Sequence, residues 1–325
     1  MRFVVCGEAL IDLIPDHAPA ATAGKWTAYS GGGPFNTARA LATLGEDVDF
    51  LGRLSTDAFG QQLRMHLAGA GVGLGLSTST EEATSLAIVS LDDVGKADYC
   101  FHFDKTSNFG WQAGDFPTLQ AGDWLHFGSI GTVVGAGAPA LLDFVNQTAA
   151  SLSYDINVRP STMPDRSRYL ERVSSLMRAV GRNAGIVKAS DEDIAWLVED
   201  GSDPLYYAQR WASDFGLSMF VVTLGAEGAM AVTPDGRQVA SPGREVAVVD
   251  TVGAGDTFMA GFLSSLSRTS TMSKERLIAV SLLRPSSVAA RGTAPSFDEV
   301  ARMLGYADSG RRPEASSVSP AASWR

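Results

Sequence analysis

Short apolar runs alternate along this chain with longer amphipathic stretches of helical period. Strands are predicted by the apolar runs at 3–6, 48–51, 124–127, 154–156, 186–188, 220–223 and 246–249. Helices are predicted by the amphipathic stretches at 36–44, 59–67, 139–149, 169–180 and 191–198. Because alternating strands and helices build parallel sheets, the pattern predicts an α/β fold, doubly wound, with helices on both faces of a mostly parallel sheet. Ligands of such sheets bind at the carboxyl ends of the strands.

Two segments depart from this alternation. Residues 18–30 are polar and extended, and residues 84–103 have the period-two pattern of a β-hairpin whose loop contains Gly95. A small sheet that projects from an α/β core would cover a sugar-sized ligand. An ordinary surface hairpin is the alternative interpretation. The end of the chain is rich in Ser, Pro, Ala and Arg, which predicts a flexible tail at 306–325.

The composition narrows the class of protein. The 325 residues are 45% hydrophobic and 19% charged, as in a globular enzyme, and the net charge of −10 without a basic run indicates no nucleic-acid partner. Any phosphate site must therefore be locally positive. The two cysteines, Cys6 and Cys100, match neither a disulfide framework nor a zinc spacing. No signal peptide precedes the first predicted strand and no apolar run spans a membrane, so we expect a cytoplasmic protein with no membrane partner.

The most informative motif lies between the last predicted strand and an apolar helix. It reads Asp250-Thr-Val-Gly253-Ala254-Gly255-Asp256. Its glycines let backbone N–H groups converge at a helix N-terminus, which suits a phosphate group. A carboxylate beside such an anion hole is what phosphoryl transfer to an alcohol requires. The alternative is an ordinary helix N-terminus in which Asp256 complements the dipole.

Further glycine and acidic motifs follow other predicted strands. In the motif from Gly31 to Asn36, glycines would let the backbone approach a ligand and Asn36 would hydrogen-bond to it, or Asn36 would only cap a helix. Asp12 lies in an apolar stretch where its carboxylate could accept hydrogen bonds from two vicinal hydroxyls. The alternative for Asp12 is a turn exposed to water.

Three more strand ends carry candidate residues. By the period of two, Asn157 and Arg159 share a face, and Arg159 either reaches a phosphate or pairs with Asp155 or another neighbour. Ser190 followed by acids is typical of a helix cap, with an outer-shell magnesium site as the functional alternative. A glycine-containing turn after another strand could border a nucleotide; its candidate residues are Thr223, Gly225 and Gly228.

Missing motifs exclude other classes. The chain has no Gly-x-x-x-x-Gly-Lys-Ser/Thr, so it is not a P-loop enzyme. No Gly-x-Gly-x-x-Gly follows the first strand, which disfavours a dinucleotide oxidoreductase. The protein-kinase motifs are absent as well.

Together the motifs resemble the ribokinase-type (PfkB) carbohydrate kinase family. Residues 31–36 resemble the amino-terminal signature of that family, residues 250–256 resemble its carboxy-terminal signature, and residues 52–60 resemble a third family segment. Their order and separation agree across about residues 1–305. The resemblance implies a ribokinase-like kinase domain over 1–305.

The resemblance also implies a small β-sheet lid and a reaction. The lid would be formed by insertions at about 13–30 and 84–105, and two copies would associate through it as a homodimer. Within the family the chain looks most like the bacterial fructokinases, which implies ATP-dependent phosphorylation of D-fructose to fructose 6-phosphate. The alternatives are a 2-keto-3-deoxygluconate kinase, another sugar kinase, or a non-catalytic sugar-binding or regulatory protein on the same fold.

Residue roles follow from the same resemblance. Asp256 would be the general base, with Gly253, Ala254 and Gly255 as the anion hole. The sugar would be held or covered by Asp12, Gly32, Gly33, Asn36, Phe101 and Phe103. ATP and its phosphates would be bound by Asn157, Arg159, Ser190, Thr223, Gly225, Gly228 and Gly292.

The resemblance also implies two metal sites, one for Mg²⁺ and one for a monovalent cation. Asp193 would reach Mg²⁺ through water, but it stands where many relatives have the longer Glu. Asp250 and the Val252 carbonyl match the family's site for a monovalent cation such as K⁺. Pro285 interrupts the stretch 277–290, where it would kink a helix.

Overall fold

The computed structural model describes residues 1–16, 24–91, 97–243 and 253–268. In chain order the elements are β1 (Arg2–Cys6), β2 (Leu10–Pro15), β3 (Trp26–Gly31), α1 (Gly33–Thr43), β4 (Asp47–Leu51), β5 (Arg53–Ser55), α2 (Ala58–Gly69), β6 (Thr78–Thr80), β7 (Leu86–Leu91), β8 (Ala97–His102), β9 (Asp123–Gly128), α3 (Ala138–Gln147), β10 (Ser151–Asp155), α4 (Arg166–Gly181), β11 (Ile186–Ser190), α5 (Asp191–Val198), α6 (Pro204–Asp214), β12 (Met219–Thr223), β13 (Gly228–Val232), β14 (Gln238–Pro242) and α7 (Ala254–Arg268).

Within the described residues the main sheet has eight strands in the order β14-β13-β12-β11-β10-β9-β1-β4. All neighbours from β4 to β12 pair in parallel, and β13 and β14 add an antiparallel edge. The chain leaves β1 for β4 on one side and returns to β9 on the other. This reversal places a topological switch point between β1 and β9, where doubly wound sheets bind ligands.

Two hydrophobic cores cover the two faces of this sheet. Val4 packs into the core beneath α3 to α6, whereas Val5 packs into the core beneath α1, α2 and α7. Because neighbouring side chains of a strand point to opposite faces, an unbroken apolar run such as Phe3 to Cys6 requires helices on both sides. The predicted α/β architecture is therefore confirmed.

A separate small sheet has the strand order β3-β2-β7-β8. Strands β7 and β8 pair antiparallel, which confirms the predicted hairpin, and β2 joins β7 in parallel. The first segment of this sheet begins at Leu10, earlier than the predicted insertion at 13. We call these four strands the small sheet.

Several elements differ from their predicted bounds. Helix α1 begins at Gly33 rather than at 36, because Pro34 in the first turn needs no N–H partner and already has a helical φ. The sequence did not predict α6, β5, β6 or the β13–β14 hairpin. The predicted strand at 246–249, the helix around Pro285 and the tail at 306–325 lie outside the described residues. Among the helices that are described, none is both long and apolar enough to cross a membrane.

Candidate active site

Two helix N-termini meet at the carboxyl-terminal edge of the main sheet. Helix α1 begins at Gly33 and helix α7 at Ala254. Asn36 Nδ2 donates a hydrogen bond of 2.9 Å to Asp256 Oδ2, although the two residues are 220 positions apart. The Thr37 hydroxyl donates to the backbone carbonyl of Asp256 at 3.4 Å. The two glycine motifs of the sequence therefore form one site.

Glycine is needed in both motifs because polar side chains come close to the backbone. A Cβ atom at Gly33 would lie 3.1 Å from Asn157 Nδ2 and 3.3 Å from Asp256 Oδ1. At Gly253 it would lie 3.4 Å from Asn36 Nδ2, and the Gly253 φ of 75° is one that L side chains rarely adopt. The side chains of Asn157 and Asp256 thus converge on the start of α1.

Asp256 is a buried carboxyl group with 7% of its surface exposed. Burial raises its pKa to about 6, while the hydrogen bond from Asn36 and the positive charges of Lys188 and Arg159 oppose the rise. A carboxyl group with this pKa is mostly ionised at neutral pH, yet it is more basic than an ordinary aspartate. Asp256 therefore combines the charge state and the basicity that a general base requires.

A buried ion pair lies against the N-terminus of α7. Lys188 Nζ, on β11, donates to both carboxylate oxygens of Asp155 at 3.1 and 3.0 Å. Burial alone would lower the pKa of Lys188, but the carboxylates of Asp155 and Asp193 outweigh it and raise that pKa. A Cβ atom at Gly255 would lie 3.1 Å from Lys188 Nζ. A fixed positive charge thus adds to the helix dipole at the start of α7.

The sequence pattern assigned no role to Lys188 and considered Asp155 only as a partner of Arg159. That pairing is wrong, because Asp155 pairs with Lys188 and the Arg159 guanidinium donates to the Val158 carbonyl at 2.9 Å. The signal that would have found the buried pair is a lysine inside an apolar strand, since lysine is almost never buried unless it is paired.

Asn157 and Arg159 also differ from the expected geometry. Strand β10 ends at Asp155, so the period of two does not reach either residue. Asn157 has φ 44°, and its side chain turns towards Gly33. Arg159 is exposed and precedes the short 3-10 turn Pro160–Thr162. The role of Arg159 at a phosphate stays a prediction.

The predicted sugar-binding residue Asp12 lies in the middle of β2, so the alternative of a turn aspartate is wrong. Its paired neighbours are Tyr29 on β3 and Ala87 on β7. Ala87 is paired in turn with Phe101 on β8, so Asp12 and Phe101 belong to the same face of the small sheet. A Cβ atom at Gly31 would clash with the Asp12 carboxylate. This close approach to Gly31 places the Asp12 carboxylate beside the backbone just before the start of α1.

Aromatic rings connect the small sheet to the core. The ring centroids of Phe101 and Phe103 are 4.8 Å apart, and those of Phe103 and the buried Phe109 are 4.7 Å apart. Gly32 is the last residue before α1. A Cβ atom at this position would lie only 2.6 Å from the Glu8 carbonyl oxygen, so the backbone here leaves no room for a side chain. The covering of a sugar by this sheet, and the association of two copies through it, stay predictions.

The residues predicted to bind a nucleotide lie farther along the same edge. Ser190 and Thr223 are paired at the ends of β11 and β12. The Ser190 hydroxyl accepts from the Asp193 N–H at 3.0 Å, and Asp193 Oδ2 accepts from the Ser190 N–H at 2.8 Å, which confirms the helix cap. Asp193 Oδ1 accepts from the Val158 N–H at 2.8 Å. Each carboxylate oxygen of Asp193 thus accepts one backbone N–H and has one lone pair left with which to accept from a magnesium-bound water.

The glycine turn after β12 completes this group. Gly225, with φ 53°, begins the 3-10 turn Gly225–Glu227 close to Thr223, and Gly228, with φ 112°, follows it directly. Across residues 1–16, 24–91, 97–243 and 253–268, no three His, Cys, Asp or Glu side chains cluster as a metal site. Three predicted residues lie outside the described residues, namely Asp250, Val252 and Gly292.

Comparison with known proteins identifies the family of this chain. The model of the pfkB family of carbohydrate kinases matches residues 2–281. A fructokinase of Rhizobium leguminosarum bv. trifolii is 36% identical over 278 residues, which cover 84% of this chain and 82% of the relative.

Two solved structures have the same fold. The fructokinase of Vibrio cholerae O395 in its fructose-, ADP- and calcium-bound form is 28% identical, with a TM-score of 0.78 over 93% of this chain and 98% of the other. The aminoimidazole riboside kinase of Salmonella enterica has a TM-score of 0.79 over 94% of this chain and 100% of the other. At 24% identity, this second likeness concerns the fold alone.

Proposed function

The chain belongs to the pfkB family of carbohydrate kinases, and on that basis we propose that it transfers the terminal phosphoryl group of ATP to the 6-hydroxyl of D-fructose. Similarity to fructokinases supports fructose as the acceptor. The observation that carries the proposal is the position of the Asp256 carboxylate at the N-terminus of α7, bonded to Asn36 and close to a buried ammonium group.

The reaction needs a base that takes the hydroxyl proton and, next to it, a positive site that stabilises the charge of the phosphoryl group. Ionised Asp256 takes the proton of the 6-hydroxyl while the oxygen forms its bond to the γ-phosphorus and the bond between that phosphorus and the β–γ bridging oxygen breaks. The N–H groups at the start of α7, which have no partner within the helix, meet the charge of the phosphoryl group. Lys188, held by Asp155, adds a fixed charge beside them. Positioning and charge stabilisation account for most of the catalysis in such transfers.

The described residues fit a magnesium ion that is held mainly by the nucleotide. Magnesium sites at phosphates use one or two carboxylates and several waters. Asp193 fits the role of an outer partner, because both of its oxygens already accept backbone N–H groups. The ion would neutralise charge on the ATP phosphates.

Two parts of the sheet edge would then hold the two substrates. We call Glu8, Gly33, Asn36, Ser129, Asn157 and Asp256 the acceptor side. Asn157, which the resemblance assigned to the ATP phosphates, is placed on this side because its amide lies with Ser129 and Asp256 around Gly33. We call Ser190, Asp193, Thr223, Gly225 and Gly228 the nucleotide side. Asp12 and Phe101 of the small sheet would complete the acceptor side by binding and covering the sugar.

A measurement of ADP release from magnesium-ATP tests the proposal. The acceptors are fructose, ribose, glucose, 2-keto-3-deoxygluconate and adenosine, and each is tested with wild type, Asp256→Asn and Asp235→Asn. Asp235 lies on an exposed turn and serves as the matched control. We expect a fructose-selective signal that Asp256→Asn abolishes and Asp235→Asn preserves.

Other outcomes redirect or reject the proposal. A signal that is selective for another acceptor would keep the kinase mechanism and replace fructose. Fructose binding without ADP formation by the wild type would reject catalysis and favour a non-catalytic sugar-binding protein.

A further inference from the structure

Glu8 is a buried acid at the switch point of the main sheet. It follows β1 by two residues, and Ser129 follows β9 directly, so the two residues flank the crevice between these strands. Only 1% of the Glu8 surface and 3% of the Ser129 surface are exposed. A carboxyl group is almost never buried without a partner, so its contacts indicate what it does.

The Glu8 carboxyl group holds the loop after β9. Its Oε2 atom accepts a hydrogen bond of 3.1 Å from the Gly131 N–H. Burial raises the pKa of Glu8, and hydrogen bonds from backbone N–H groups, including that of Gly131, oppose the rise. Oε1 is buried and has no hydrogen-bond partner among the described residues. Since Oε1 is enclosed, a substrate does not reach it, and Glu8 acts through its neighbours.

The loop that Glu8 holds is linked to the next strand by a strained pair of residues. Ser129 has φ 61° and Asn157 has φ 44°, values that few residues other than glycine adopt. Asn157 Nδ2 donates to Ser129 Oγ at 3.3 Å, and the Ser129 N–H donates to the Asp155 carbonyl at 3.0 Å. Such strain persists only where the surroundings over-determine the conformation, and it concentrates at functional sites.

The same pair of residues leads to the proposed base. The Cβ position of Gly33 lies 3.1 Å from Asn157 Nδ2, 3.4 Å from Ser129 Cβ and 3.3 Å from Asp256 Oδ1. The Asn157 amide and the Asp256 carboxylate therefore approach one point at the start of α1. A hydroxyl group that gives its proton to Asp256 would lie within reach of the Asn157 amide.

We propose that Glu8 is a positioning residue for the acceptor hydroxyl: through the Gly131 N–H it holds the loop that contains Ser129, and Ser129 holds the Asn157 amide beside Asp256. This inference rests on the proposed kinase function. Glu8, Ser129 and Asn157 form a relay, in which the Asn157 amide donates to the Ser129 hydroxyl and the Gly131 N–H, two residues after Ser129, donates to the Glu8 carboxyl group. The nucleotide side has no described contact with Glu8, so the relay acts on the sugar and not on ATP.

The test is a double-mutant cycle with steady-state kinetics. The variants are Glu8→Ala, Glu8→Gln, Ser129→Ala and the double variant Glu8→Ala/Ser129→Ala, with Glu171→Ala on the exposed face of α4 as the matched control. We expect Glu8→Ala and Ser129→Ala each to lower kcat/KM for the sugar by about 10- to 100-fold, as for other groups that orient a substrate. The KM for ATP should stay within about twofold, because the residues of the nucleotide side keep their positions.

The relay makes two further demands. The double variant should be no worse than the poorer single variant, because residues that act as one unit are not additive. Glu8→Gln should keep activity within about fivefold of wild type, because the amide oxygen still accepts from the Gly131 N–H. Three results would each overturn the proposal. They are additive losses of kcat/KM in the double variant, a rise in the KM for ATP as large as the loss of kcat/KM for the sugar, and a Glu8→Gln variant as inactive as Glu8→Ala.

Thermal unfolding of the same variants separates this proposal from the kinase function. If the wild type phosphorylates no acceptor, the proposed function fails, yet the shifts in Tm still report the contact. Non-additive shifts for Glu8→Ala and Ser129→Ala would then support the relay as a physical unit. Additive shifts would show that the two side chains are not coupled and would overturn the relay. Glu8→Gln, which leaves no cavity, keeps this measurement possible if Glu8→Ala does not fold.

Discussion

The acceptor side and the nucleotide side lie on the same edge of one sheet, but different kinds of contact hold them. On the acceptor side, hydrogen bonds join residues that are far apart in the chain, such as Asn36 and Asp256, which are 220 positions apart. On the nucleotide side the cap between Ser190 and Asp193 joins residues three positions apart, and one longer-range hydrogen bond connects Val158 to Asp193. The acceptor side therefore exists only in the assembled fold, whereas the cap and the glycine turn of the nucleotide side each form within a short segment, although strand pairing brings them together.

This difference predicts unequal effects of substitution. A change on the acceptor side alters charge and contacts shared by several elements. A change on the nucleotide side alters one helix cap or one turn. The expected effects therefore decrease from Asp256 towards Ser190.

Asp256→Asn tests the centre of the acceptor side and should have the largest effect. Asparagine has nearly the same size but takes no proton, so we expect kcat to fall by about 10²–10⁴-fold. Initial rates of ADP release at about pH 7.5 give the value, and Asp235→Asn should match wild type. A variant that kept more than about a tenth of the wild-type kcat would remove Asp256 from the role of base.

The same substitution should not destabilise the fold at neutral pH. The folded-state pKa of Asp256, about 6, lies above the ordinary 3.8, so the folded protein binds this proton more tightly. Wild type consequently loses stability as the pH rises from about 4 to about 6. The asparagine variant has no such loss, and we expect it to gain about 1–3 kcal/mol relative to wild type between about pH 4 and about pH 7.5. Urea unfolding at both pH values measures this difference, and the opposite sign would contradict the assigned shift.

Lys188→Met tests the charge that lies between the two sides. It leaves the Asp155 carboxylate buried and unpaired, which should lower the free energy of unfolding by about 3–5 kcal/mol. The exposed pair of Arg210 and Asp214 is the control, because Arg210→Met should cost less than about 1 kcal/mol.

A second substitution separates charge from packing at Lys188. Adding Asp155→Leu to Lys188→Met should restore much of the lost stability, since no buried charge is left unpaired. It should not restore turnover, because the positive charge at α7 is still missing. Recovered turnover in this double variant would show that Lys188 serves the fold and not the reaction.

Asn36→Ala tests the hydrogen bond to the base through the pH profile. In wild type, kcat/KM should fall as the pH drops through about 6, because protonated Asp256 accepts no proton. The hydrogen bond from Asn36 favours the ionised form, so its loss should move this acid limb upward by about one pH unit. Asn183→Ala, on the exposed far side, should leave the limb in place. A shift of the acid limb to lower pH would contradict the inference that the hydrogen bond from Asn36 stabilises ionised Asp256.

Ser190→Ala should have the smallest effect. It removes one cap of α5 and should lower the free energy of unfolding by about 1 kcal/mol, with kcat for fructose unchanged. Kinetics with varied ATP and varied magnesium check that expectation. A rise in either KM beyond about fivefold would show that the cap residue also contacts the nucleotide or its metal.

Much of the acceptor side was visible in the sequence as separate pieces. The motifs around Asn36 and Asp256 each predicted a glycine turn at a helix N-terminus, and both helices are present. Their hydrogen bond was not predictable, because residues 220 positions apart have no local pattern in common. For Arg159 the sequence pattern was wrong in another way. The period of two predicted that Arg159 and Asn157 share a face of a strand, but β10 ends at Asp155, before either residue.

The sequence by itself determined the elements and the local caps of this protein. Alternating apolar runs predict the parallel sheet, glycines mark the close approaches, and Ser190 with Asp193 forms a cap that depends on neighbouring positions only. The tertiary structure alone decided which charges meet. Lys188 pairs with Asp155 because β10 and β11 are neighbours, and Glu8 reaches Gly131 because β1 and β9 flank the switch point. Side-chain contacts of this kind depend on strand order, which a periodic pattern along one chain does not encode.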